Sequence, residues 1–233
     1  MSAQVVLIID CYIELPGATP NFVRYLDQLP YESCLVAHGQ RPYSQPEAYS
    51  GIVITGSAAS VNDKLPWVEE LLPFLLKAIH AGVPVLGVCF GHQLLAYALG
   101  GQVQKASRPE VGTVQIHFFK DCLLLAGFDN PFLCFVSHED EVVSVGSDCE
   151  VLARSQQCAI QAFRHVDKAV WGIQFHPEMP TDEAFEILDY RAKRHPELKL
   201  DIAALSAQFI ERTELARHIF GQFMSCCQSA LRS

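Results

Sequence analysis

Short blocks of unbroken apolar residues alternate along the chain with longer blocks in which apolar positions recur every three or four. The first kind comprises "QVVLIID" at 4–10, "SCLVAH" at 33–38, "GIVITGS" at 51–57 and "VPVLGVC" at 83–89. These predict strands, because a strand buried on both faces has no polar side to show. Between them a helix is expected around 21–29 and another over 66–82, "PWVEELLPFLLKAIHAG", which opens on proline and closes on glycine. A further helix follows Cys89 and runs to the glycine pair at 100–101. Strands separated by single helices favour a parallel sheet with right-handed crossovers and function at the carboxyl ends of its strands.

From about 102 to 176 the rhythm changes to short apolar runs divided by turn residues: "TVQIHFF", "FLCFVSH", "EVVSVG", "EVLARS", "AIQAFRH" and "AVWGIQFH". They predict added antiparallel strands, the last returning to the main sheet. After Pro177 come helical stretches at about 182–194 and 202–228, the second with Ile202, Leu205, Phe209, Leu215, Ile219 and Phe223 at helical spacing, an apolar face to cover the sheet. The expected fold is α/β: a central, mostly parallel sheet flanked by helices in a flavodoxin-like three-layer architecture with added antiparallel strands. One domain is expected over 1–233, with a C-terminal helical extension from about 196 to 233.

Composition narrows the class. Half the residues are apolar and 18% charged, which fits a well-filled interior. The formal charge of -9 disfavours a nucleic-acid surface, and the only basic cluster, "RAKRH" at 191–195, reads as a solvated helix end. No apolar stretch reaches the roughly 18 residues of a membrane span, and the start lacks a secretory pattern, so a cytoplasmic protein is expected. The nine cysteines are odd in number and form no CxxC pair, so most are expected to be small buried hydrophobes.

One of them is different. In "GVCFG", Cys89 ends an apolar strand between two glycines, the thiol form of the strand-turn-helix elbow that exposes a nucleophile. Glycines let the sharp turn approach neighbouring strands, and the helix that follows points its amides and dipole at the sulfur, favouring the thiolate. A thiol nucleophile needs a base. In "GIQFHPEM", His176 stands where an apolar strand meets Pro177, and Glu178 two residues on can accept from the imidazole and fix its tautomer. The alternatives are a buried strand cysteine and a strand-end turn; together the two motifs favour chemistry.

"GVCFGHQ" and "QFHPE" also carry a resemblance: over most of residues 1–195 the chain resembles a class I, triad-type glutamine amidotransferase domain. The resemblance implies Cys89 as nucleophile on the γ-carbonyl of a glutamine-like group, His176 as base then acid, and Glu178 as its orienter. It implies an oxyanion hole from the backbone amides of Gly56 and Phe90. For substrate binding it points to Gln93 and to "VSHED" at 136–140, hence Ser137, His138 and Glu139. Two positions depart from the family pattern. Ala58 stands where a second glycine is common, and Glu139 follows the histidine where glycine is frequent; a carboxylate there would repel a substrate carboxylate or attract an amine.

His92 reads as structural. No HExxH, CxxC pair or carboxylate cluster points to a metal, and "TGSAASVNDK" has neither P-loop spacing nor a dinucleotide fingerprint, so no cofactor is expected. The expected function is hydrolysis or amide transfer on glutamine or a γ-glutamyl compound. The alternatives are a glutaminase subunit supplying ammonia to a separate synthetase partner chain, and a silent binding module of the same fold.

Overall fold

A computed structural model describes residues 5–229 except 15, 28 and 121. Gln4 of the first predicted strand, Gln28 of the first predicted helix and the last four residues of the C-terminal extension lie outside them. The first half reads β1 (Val6–Asp10), α1 (Thr19–Val23), β2 (Tyr31–Leu35), β3 (Gly51–Ile54), α2 (Pro66–His80), β4 (Val85–Val88) and α3 (Phe90–Ala98). Next come β5 (Gln102–Phe118), β6 (Phe132–Ser144), β7 (Cys149–Arg154), β8 (Ala162–His165) and β9 (Val170–Ile173). Three helices close the chain: α4 (Thr181–Arg194), α5 (Ile202–Ala207) and α6 (Thr213–Ser229).

The strands form one nine-stranded sheet in the order β2-β1-β3-β4-β9-β8-β7-β5-β6. β2, β1, β3, β4 and β9 run parallel, and β8, β7, β5 and β6 extend the sheet antiparallel. The unbroken apolar runs are explained by two covered faces. Ile8, Val53, Leu86 and Trp171 pack with Phe22 of α1 and Phe220 and Phe223 of α6. Their chain neighbours Ile9, Ile52, Val85 and Val170 pack on the opposite face with Leu75 of α2 and Leu95 of α3. Each such buried side chain contributes about 1.5–3 kcal/mol, so the parallel core is a stiff platform for what its strand ends carry.

Several predicted elements differ in extent. The helix expected at 21–29 covers only Thr19–Val23, because Asp27 at φ +46° turns the chain ahead of Pro30. "FLCFVSH" and "EVVSVG" are one strand, β6, since both pair with the long β5 across a register shift. The stretch at 202–228 is two helices. Its first apolar residues, Ile202, Leu205 and Phe209, pack with Phe135, Ala184 and Leu188, whereas Leu215, Ile219 and Phe223 reach the sheet. One straight helix would not serve both destinations. Among the described residues no helix is long and apolar enough to cross a membrane.

Candidate active site

Cys89 follows β4 directly and caps α3, with φ +54° and ψ -105°. A non-glycine residue held there costs on the order of 1–3 kcal/mol, so the surroundings must enforce it. They do so through backbone. The Cys89 amide donates to Ile173 O at 2.8 Å and the Gly91 amide to Thr55 O at 3.1 Å, tying the elbow to β9 and to the end of β3. Both glycines are required by contact: a Cβ on Gly87 would stand 2.3 Å from Gly91 O, and one on Gly91 would stand 2.4 Å from Ile54 O. The sulfur is thereby held at the N-terminus of α3, where the first amides have no intrahelical acceptor.

His176 stands beyond the end of β9, the strand paired with β4, and its amide donates to Phe135 O at 2.9 Å. Its Nδ1 lies 2.7 Å from Glu178 Oε1, and the ring shares a cavity wall with Cys89. Burial alone would lower the imidazole pKa, but the charges of Glu178 and Cys89 outweigh it and raise it to about 10. Gly56 packs beside both groups: a Cβ there would meet His176 Cε1 at 3.3 Å and Cys89 Cβ at 3.6 Å. Phe90 opens α3 next to the sulfur.

Two cavities meet at Cys89. One, of about 300 Å³, is walled by Gln93, Lys105, Ser137, His138, Glu139 and Asp140 among others. The second, of about 380 Å³, has His176 in its wall together with Gly56, Tyr12, Ile187 and Tyr190. The four residues expected to bind substrate therefore share one cavity, although most of their polar atoms face protein. Gln93 Nε2 donates to Asp140 O at 2.9 Å and Gln174 Oε1 at 3.0 Å. His138 Nδ1 lies 2.8 Å from Asp140 O and Nε2 lies 3.0 Å from Glu110 Oε2.

"RAKRH" is not simply a solvated helix end. Arg191 is buried, lines both cavities, and donates through Nε to Ser137 Oγ at 2.9 Å while its guanidinium pairs with Glu139. Arg194 Nε and His195 Nε2 each lie 3.0 Å from the same Glu139 oxygen. Burial works to raise the Glu139 pKa, but His195, Arg191 and Arg194 hold it below the usual carboxylate range. Glu139 is therefore a neutralised member of a cluster rather than the bare charge expected from its position. Arg191 escaped the sequence reading because its partners lie more than fifty residues away in the chain.

Glu110 was another residue that local pattern could not single out. Besides His138 it accepts from Ser155 Oγ at 2.6 Å and Gln161 Nε2 at 2.7 Å. Ligand atoms of Glu110, His138 and Cys158 lie within 4.8 Å of one another, a grouping able to hold a metal ion, but here the carboxylate and ring bond each other. His92 is fully buried against Phe163, ring centroids 5.1 Å apart, and burial lowers its pKa to about 3, so it is neutral and structural. All nine cysteines are free. Burial raises the pKa of the eight others, and Cys89 alone opens into both cavities.

A strained cysteine at one parallel strand end, with a histidine-glutamate pair at the next, is the layout of triad-type acyl-transfer enzymes. The family model for "Glutamine amidotransferase class-I" matches residues 7–189, and the chain belongs to that family. It is 35% identical over 148 residues to a Saccharolobus solfataricus protein named as one subunit of glutamine-hydrolyzing GMP synthase, covering 63% of this chain and 77% of that one. A Methanococcus vannielii protein named in the same way is 40% identical over 111 residues, 48% of this chain and 59% of its own length. The chain thus spans less than two thirds of some of the relatives it matches. A glutamine amidotransferase structure from Thermotoga maritima superposes with a TM-score of 0.79 at 20% identity, covering 100% of both chains, a likeness of fold.

Proposed function

We propose that residues 1–233 act as one domain that hydrolyses the side-chain amide of glutamine, or of a γ-glutamyl compound, through a thioester on Cys89. The observation that carries this reading is Cys89, held at a strained elbow with the His176 ring in the same cavity wall and Glu178 2.7 Å from the ring's Nδ1. The glutamyl end occupies the cavity walled by Gln93, Ser137, His138 and Glu139. The sulfur attacks the amide carbon, and the oxyanion is received by the backbone amides of Gly56 and Phe90, preorganised donors of the kind that supply much of acyl-transfer catalysis. His176 takes the thiol proton and delivers it to the departing nitrogen as the carbon–nitrogen bond breaks. Glu178 stabilises the charged ring meanwhile. Water, deprotonated by His176, then releases glutamate and restores the thiol.

A second reading is favoured by the names of the relatives: a glutaminase subunit passing ammonia to a separate synthetase chain. One experiment addresses both. Purified protein and a Cys89→Ala control are given glutamine and the released glutamate is quantified. Turnover without a partner, lost by at least about 10⁴-fold in the control, supports the free-standing enzyme. Turnover only when a synthetase chain is added supports the second reading, and full activity in Cys89→Ala sinks both.

A further inference from the structure

The two cavities at Cys89 differ in which reaction partner they can hold. His176 must protonate the departing nitrogen, so whatever that nitrogen carries lies on the His176 side of the sulfur. That is the cavity of about 380 Å³, since His176 is absent from the wall of the other. Ammonia, about the size of a water with its roughly 30 Å³ share of liquid volume, would fill no more than about a tenth of it.

The wall has a definite chemistry. Tyr12, Pro16, Pro20, Ile187 and Tyr190 give it apolar and aromatic surface, and Glu14, Glu183 and Glu186 add three carboxylates. Glu183 is held by Asn21, whose Nδ2 donates to it at 2.6 Å. Among the described residues, no lysine or arginine lies within ion-pair distance of these three carboxylates. The one basic residue in the wall besides His176, Arg191, is already bound to Glu139 and Ser137. A guest with an aliphatic stem and a cationic head matches this wall: the stem lies on the prolines and Ile187, and the head meets carboxylates and tyrosine faces.

We infer that this cavity is a leaving-group subsite for amines, and that the preferred substrates are γ-glutamyl amides whose nitrogen carries an alkyl chain ending in an ammonium group. The inference rests on the thioester reading above. The reaction is the same in its atoms: a sulfur–carbon bond forms, the carbon–nitrogen bond breaks, and the thiol proton leaves on a diamine instead of on ammonia. Water then yields glutamate.

Four substrates test it: glutamine, and three γ-glutamyl amides of equal chain length ending in an ammonium, a methyl and a carboxylate group. The expected order of kcat/KM is ammonium, methyl, carboxylate. The ammonium-to-carboxylate ratio is expected to fall at least about five-fold in Glu186→Gln or Glu14→Gln, and further in the double variant. Added salt should compress the same ratio, because these side chains are exposed. Both are surface changes, and an unchanged melting temperature would show that the variants are folded. An order indifferent to charge, or a ratio the variants leave alone, overturns the subsite while glutamine turnover still upholds the thioester chemistry. Silence on all four amides, with Cys89 intact, overturns the free-standing enzyme and the subsite with it.

Discussion

Two histidine-glutamate pairs are buried in this protein, and they are nearly equal by local measures. His176 and Glu178 are 6% and 3% exposed; His138 and Glu110 are 3% and 4%. The ring-to-carboxylate distances are 2.7 Å and 3.0 Å. They differ in what lies beyond. The second nitrogen of His138 meets the carbonyl of Asp140, and Glu110 accepts from Ser155 and Gln161 as well, so both ring nitrogens and both carboxylate oxygens have protein partners. His176 instead lines a cavity together with Cys89, and Glu178 Oε2 has no partner among the described residues. A buried imidazole-carboxylate pair is thus fixed in place when its remaining positions are filled and free to carry a proton when one of them faces a cavity, as the proposed function requires of His176.

Removing the rings separates these roles most sharply. His176→Ala is expected to lower glutamate release by about 10⁴-fold or more, since no other group can collect the thiol proton, with a modest change in melting temperature. Steady-state assay and thermal melting on one preparation check both halves. Retained turnover would mean that the two pairs are not different in kind.

The converse prediction concerns the closed network. Glu110→Leu leaves His138, Gln161 and Ser155 facing an apolar side chain in the interior, and breaking a buried pair this way costs about 3–5 kcal/mol. For a chain of this size that corresponds to a melting temperature lower by about 6–20 °C, read by calorimetry. Activity measured below the new transition should fall far less than in His176→Ala. An unchanged melting temperature would show that the network is dispensable.

The contrast also marks how far the sequence could be read. Glu178 lies two residues from His176, on the far side of a proline that ends the strand, so the open pair is a local pattern and was legible, as was the cysteine elbow with its glycines. The parallel half of the fold was legible for a related reason: doubly buried strands are apolar without interruption. Glu110 and His138 are brought together by the register of β5 on β6, and Arg191 reaches Ser137 from a helix fifty-four residues on. Pairings of that range leave no local periodicity. For the same reason a basic run looked like a solvated helix end, and Glu139 like a bare charge in the pocket.

The smallest expected effect tests the state of the resting pair. The pKa of His176 is raised to about 10 because Glu178 and Cys89 favour its charged form more than burial opposes it. In the unfolded chain an imidazole titrates near 6.5. Below about pH 6.5 both states hold the proton, and the stabilisation from the raised value is present in full. As pH climbs from there to about 10, the folded state keeps a proton the unfolded state has lost, so the free energy of unfolding falls. Other groups titrate in this range too, and a His176→Gln reference removes them. The melting temperature of the native protein minus that of His176→Gln should therefore shrink between pH 6.5 and 10. If the difference stays flat, His176 rests as a neutral ring able to act directly as a base. If it shrinks, the His176 ring is already charged at rest, paired with Glu178.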